Sequence, residues 1–195
     1  MDAVYSFDLS VFEFIENYIW NPVLDVIMSV ITTLGDGGII WIALAICLLI
    51  SKKYRKVGAM MACGLIFSLI FTDSVIKPLV NRPRPFNYEP WLTSFNFPEL
   101  VEKPSSVSFP SGHTSSSFAA AVPVLLRTKK PLGIAAFVLA ALIAFSRIYV
   151  HVHYCTDVLV GLVCGVIYGL LAVLVIEKLV PVIVAKIKAR KAKVK

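Results

Sequence analysis

The sequence predicts an all-α, polytopic membrane protein with six transmembrane helices, and two observations carry that prediction. The chain is 58% hydrophobic and only 16% charged, and its mean hydropathy of +0.81 lies far above that of soluble domains. Six mostly apolar runs approach the roughly 20 residues needed to cross about 30 Å of hydrocarbon. They fall near 18–34, 37–51, 57–76, 112–126, 132–147 and 156–177.

Taken in order, the runs differ in strength. The first carries Asn21, Pro22 and Asp25; the fourth is short, carries Ser115, Ser116 and Ser117 near its start and contains Pro123, so these two count as spans because the topology needs them. The third, fifth and sixth are the strongest. Basic residues give an independent check, since Lys and Arg are retained on the cytoplasmic side of a bilayer. Lys52, Lys53, Arg55 and Lys56 follow the second run, Arg127, Lys129 and Lys130 the fourth, and Lys186, Lys188, Arg190, Lys191, Lys193 and Lys195 the sixth. Clusters in alternate loops predict a multi-pass cell-membrane protein with N- and C-termini both cytoplasmic. The net charge of +7 is then mostly topology, with a tail suited to anionic inner-leaflet lipid, and no nucleic-acid partner is needed to explain it. Asp2, Asp8, Glu13 and Glu16 precede the first basic residue, Lys52, so no cleavable signal peptide is expected. Cys47, Cys63 and Cys164 lie inside apolar runs and only Cys155 nears a polar stretch, which implies no disulfide framework.

With this topology the segments 35–38, 77–111 and 147–155 share the outer face. Lys77, Arg82, Arg84, Lys103 and Arg147 escape the cytoplasmic clusters and fall there. A cation at the outer end of a span requires a partner, a cavity or a ligand. The loop over 86–109 carries Phe86, Tyr88, Trp91, Phe95 and Phe97, read either as an interfacial belt lying on the headgroups or as a rim that guides a lipid into a site.

Three stretches carry chemistry. In SRIYVHVHYCTD (146–157), His153 and Asp157 are four apart and share a helical face, whereas His151 points away. A carboxylate on one ring nitrogen fixes the tautomer and frees the other nitrogen as nucleophile or base. Arg147 precedes His153 by six residues, so a turn between them is expected. In SFPSGHTSSSF (108–118), Ser111 reads as an N-cap and Gly112 permits close backbone approach; the resulting helix N-terminus suits a phosphate, with His113 at its lip. The plainer alternative is a Ser-rich cap with a hydrogen-bonded surface histidine. In KPLVNRPRP (77–85), Lys77 and Arg84 reach the same surface and Pro83 and Pro85 stiffen the chain around Arg84. Here the alternative is that Lys77 merely pairs with Asp73, one turn earlier.

Read together as K-x6-R-P, P-S-G-H and S-R-x5-H-x3-D, the stretches resemble the type 2 phosphatidic acid phosphatase superfamily over about residues 35–178, including the Gly35, Asp36, Gly37 turn. The resemblance implies one domain spanning 1–195, with a basic tail over about 179–195 and the active site at the outer membrane face. It implies that His153 is the nucleophile forming a phosphohistidine, Asp157 its orienting carboxylate, and His113 the acid and then the base. Lys77, Arg84, Ser111, Gly112 and Arg147 would bind the substrate phosphate, with no metal and no cofactor. The implied substrate is a membrane lipid phosphate or diphosphate: undecaprenyl diphosphate, phosphatidylglycerophosphate or phosphatidic acid, with a lean to an envelope lipid. Transfer to a lipid acceptor instead of water remains open under the same resemblance, and a non-enzymatic transport protein is the alternative from another class. Charges gathered at one end, with no polar trail through the runs, argue against a conduit. A metal site built from His151, His153 and Asp157 is disfavoured by the divergence of the two rings, and a Cys155 phosphatase by the absence of an arginine six residues on, where Gly161 stands. Oligomeric state leaves no mark in the sequence.

Overall fold

The computed structural model describes residues 3–92 and 99–193, and within them every regular element is helical, with no strand. Phe95 and Phe97 lie outside the described residues. The N-terminal segment, for which no helix was expected, forms α1 (Ala3–Tyr18), burying Phe12, Ile15 and the charged Asp8 while Val4, Phe7, Phe14 and Tyr18 stay exposed. Its acidic residues break any apolar run, so hydropathy does not register it; an amphipathic face does.

The first apolar run is trimmed to α2 (Pro22–Leu34). Asn21 is its N-cap, with its Oδ1 accepting from the backbone N–H of Val23 at 3.1 Å and of Leu24 at 3.0 Å, and Pro22 fills the first helical position, where its missing N–H costs nothing. The residues that looked like flaws in a span are start signals. A tight turn, Asp36–Gly38, with Gly37 at φ 58° and Gly38 at φ 67°, leads into α3 (Ile39–Ile50). The pair formed by Pro22–Leu34 and Asp36–Ile50 is bent by 46°. α4 (Arg55–Phe67) continues through a π-helical stretch, Ser68–Ile76, into α5 (Lys77–Val80), and Asn81 ends it in the left-handed conformation. After the short α6 (Glu89–Leu92) come α7 (Gly112–Arg127), α8 (Lys130–Tyr149) and α9 (Cys155–Leu174), which runs through Val175–Leu179 into α10 (Val180–Lys193).

Among the described residues, three helical stretches are long and apolar enough to cross a membrane, Arg55–Asn87, Lys130–Tyr149 and Cys155–Ile187, and the bent α2–α3 pair adds a fourth if it counts as one span. The expected fourth run, α7, is only 16 residues long and lies at the centre, packed against α4, α8 and α9 with Ser117 through Val124 buried. Being enclosed by protein, it presents no belt to lipid, and Pro123 sits inside it without ending it. α9 reaches it through Gly161, Gly165 and Gly169: a Cβ at Gly165 would stand 2.5 Å from the Ser115 carbonyl oxygen, and one at Gly161 2.8 Å from that of Ser111. Small residues four apart let the two backbones touch. The outer surface is apolar, with Leu69, Ile134, Val138, Leu159, Val163 and Leu170 all exposed, as a lipid-facing surface requires.

Among the described aromatics of the 86–109 loop, Trp91 does not lie on the surface. Trp91 is buried, with Tyr5, Phe12, Tyr88 and Tyr154 edge-on or tilted around it at 5.3–6.0 Å or next to one another. This cluster joins α1, the 81–92 segment and the start of α9.

Candidate active site

The expected turn lies between α8 and α9. The backbone N–H groups of Val152 and His153 both donate to the Arg147 carbonyl at 3.2 Å, and His151 takes φ 55°. His153 therefore stands just before α9, not on it, while Asp157 lies in its first turn. They still meet: His153 Nδ1 is 3.4 Å from Asp157 Oδ2. Asp157 Oδ2 also accepts from the Tyr154 backbone N–H at 3.1 Å and from the Ser108 hydroxyl, and Oδ1 accepts from Arg82 Nη1 at 2.7 Å. On the far side of the ring, His153 Nε2 faces Arg84 Nη1 at 3.3 Å. A guanidinium can only donate, so Nε2 carries the lone pair and Nδ1 the proton directed at Asp157.

Arg84 is held by acceptors on three sides, the Val152 carbonyl at 2.7 Å, the Ser106 carbonyl at 2.6 Å and the Ser106 hydroxyl at 3.0 Å. Arg147 donates to Thr32 Oγ1 at 2.5 Å while its buried Nε has no hydrogen-bond partner, and Tyr149 anchors the same end of α8 to α2 through Asp25 at 2.8 Å. Lys77 pairs with Asp73 at 2.6 Å, the plainer alternative, yet it also lies over the α7 N-terminus, since a Cβ on Gly112 would come within 3.2 Å of its Nζ. Ser111 caps α7, its hydroxyl oxygen accepting from Thr114 N at 3.4 Å and Thr114 Oγ1 at 3.0 Å, which leaves its O–H to donate. His113 Nε2 meets Asp36 Oδ1 at 2.7 Å.

Burial, together with the positive charges of Arg84, Arg147 and Lys77, pushes the His153 imidazole well below its ordinary range. That these groups, drawn from separate stretches of sequence, all act on one ring is the electrostatic mark of convergence; the neutral ring is the form they favour. Two cavities flank His113. One, of about 510 Å³, runs along Ile42, Ile46, Leu65 and Leu69 to Lys77 and Gly112. The other, of about 690 Å³, is lined by Thr32, Asp36, Ser106 and Arg147.

His151 turns away from all of this, its ring centroid 4.9 Å from that of Phe12 and its Nε2 3.8 Å from Glu16 of α1. Among the described residues no group of three or more His, Cys, Asp or Glu is arranged to hold a metal ion. Spacing did not single out Ser108, Thr32, Asp8 or Asp36 as partners of the site, and Arg82 stood only as an unexplained cation. Ser108 and Asp36 lie within motifs already quoted; for Asp8 no sequence signal exists, because its partners are 74 and 148 residues away.

A family model described as the PAP2 superfamily matches residues 53–181. The undecaprenyl-diphosphatase of Sulfolobus acidocaldarius is 32% identical over 161 residues, 82% of this chain and 74% of that protein. The crystal structure of Aquifex aeolicus LpxE superposes with a TM-score of 0.72 at 30% identity, covering 84% of this chain and 93% of the other. That of the transmembrane PAP2-type phosphatidylglycerolphosphate phosphatase from Bacillus subtilis gives 0.70 at 28%, covering 88% and 85%. The class is thus a membrane phosphatase, a hydrolase of phosphoric esters. Within it, this chain belongs to the PAP2 superfamily.

Proposed function

We propose that this protein removes phosphate from a lipid phosphate or diphosphate of the cell envelope, through a phosphohistidine on His153 and without a metal. The observation that most supports this is the His153 ring itself, buried, with Nδ1 toward Asp157 and Nε2, the nitrogen left with the lone pair, toward Arg84. A phosphate accepting from Arg84, Arg147 Nε, Lys77, Ser111 and the Gly112 N–H would put its phosphorus in front of that lone pair. Nε2 then forms the N–P bond as the P–O bond to the lipid breaks, and His113 gives its proton to the departing oxygen. Asp157 stabilises the positive imidazole so formed. In the second step His113 takes a proton from water, the new P–O bond forms, and the P–N bond breaks to release phosphate. Fixed cations and a helix N-terminus supply the charge stabilisation that phosphoryl transfer demands.

The site is assigned to the extracytoplasmic face on the alternation of basic loops; α1 and the start of α2 meet the same end of the molecule through Asp8–Arg82 and Asp25–Tyr149, and the 46° bend lets α2 and α3 count as one crossing, which together support an N-terminus on the site's side and a C-terminus inside. Relatives named for undecaprenyl diphosphate, phosphatidylglycerophosphate and lipid A bracket the substrate class: a phosphate at the interface attached to a chain in hydrocarbon. The apolar cavity that ends at Lys77 and His113 suits such a chain. Purified protein assayed with chelator against undecaprenyl diphosphate, phosphatidylglycerophosphate and phosphatidic acid should release phosphate from at least one, and the His153→Ala variant from none. Loss of release on chelation, restored by a divalent cation, would refute the metal-free mechanism.

A further inference from the structure

We propose that α1 belongs to the catalytic apparatus: Asp8, aided by Tyr5, holds Arg82 against Asp157 and thereby fixes the orientation of His153. This makes Asp8 a positioning residue for the phosphoryl transfer described above, on which the inference rests. Asp8 is a wholly buried carboxylate on a helix outside the matched 53–181 region, and burying it without partners would be prohibitive. Its partners are three donors from two residues. Arg82 Nη2 donates to Oδ2 at 2.7 Å, and Thr156 donates through its backbone N–H to Oδ1 at 2.9 Å and through its hydroxyl to Oδ2 at 2.7 Å. The other arm of Arg82, Nη1, reaches Asp157 Oδ1 at 2.7 Å and Thr156 Oγ1 at 2.8 Å. Two aromatic rings also pack against the guanidinium, Tyr154 with its centroid 3.7 Å and Tyr5 with its centroid 4.7 Å from Cζ.

A planar fork gripped at one end by Asp8 and covered by aromatic rings cannot rotate, so its other end fixes Asp157 Oδ1. Oδ2 is thereby presented to Ser108, to the Tyr154 N–H and to His153 Nδ1. Remove the Asp8 charge and Arg82 is free to lean onto Asp157, turning the carboxylate that aligns the nucleophile. Lys77, Arg84 and Arg147 are untouched, so the effect falls on turnover and not on substrate capture.

The test uses the full chain in detergent, with whichever lipid phosphate the wild type turns over fastest. Asp8→Asn should lower kcat about 10- to 100-fold with KM within about twofold. In an Asp157→Asn background the same change should alter kcat by less than about twofold, because the residue it acts through is gone. An unchanged kcat, a KM effect alone, or the same loss in both backgrounds would overturn the proposal, the last marking α1 as a structural clasp only. Should Asp8→Asn fail to fold, Tyr5→Leu replaces it, with an expected kcat loss of about fivefold and the same cycle; no loss there overturns the proposal equally. If the wild type releases phosphate and His153→Ala does not, while Asp8→Asn is unimpaired, the α1 role alone falls. If the wild type releases none from any lipid, both fall.

Discussion

His153 and His151 sit two residues apart in one turn and show how burial acts in opposite contexts. At His153 burial and the surrounding cations hold the ring neutral, so the nucleophile stays competent well below pH 6.5. Turnover should therefore fall on its acid side only far below that value, and fall on the alkaline side as the proton needed for the leaving oxygen is lost; a flat kcat/KM from about pH 4 to 10 would contradict the two-histidine mechanism. At His151 burial against α1 lowers the ring from 6.5 to about 4. The unfolded chain takes up that proton below 6.5 and the folded chain does not until about 4, so stability is full above 6.5 and is lost as pH falls through the window. His151→Asn, which tolerates the positive φ, should melt lower at pH 7.5 but lose less on going to pH 5 than the wild type does. Spacing alone made Lys77, Arg84, His113, Arg147, His153 and Asp157 legible, since each lies in a short stretch with its own local logic. Asp8, Thr32 and Ser108 were not, because what they touch is distant along the chain.

Among the elements, α7 and α9 set the geometry. Ser111 N donates to the Asp157 carbonyl at 3.1 Å, so the helix that offers its N-terminus and the helix that carries Asp157 are joined at the site, and the glycines of α9 keep them in contact further down. Gly165→Ala should overpack that contact and destabilise by about 1–3 kcal/mol, read as a lowered Tm, whereas Val163→Ala on the exposed side should change it by about 0.5 kcal/mol or less. An equal effect at both positions would deny the close approach its importance. Hydropathy revealed α8 and α9 almost whole; it missed α1, where Asp8, Glu13 and Glu16 interrupt the apolar run, and it mistook the cap of α2 for a weakness in a span.

For the molecule as a whole, the arrangement to test is which side the site faces. With the four native cysteines replaced, a single cysteine at exposed Ser105 should react with an impermeant thiol reagent in intact cells, and one at Lys129 only after permeabilisation; the reverse pattern would place the site inside. The sequence by itself determined the helical, membrane-bound character and most of the charged groups of the site, because hydropathy and local spacing are properties of neighbouring residues. Only the tertiary structure decided that α7 is enclosed by protein, that His151 serves the core, and that an N-terminal helix reaches Arg82. Those outcomes depend on which surfaces meet after folding, where one buried carboxylate must find its cations wherever the chain has carried them.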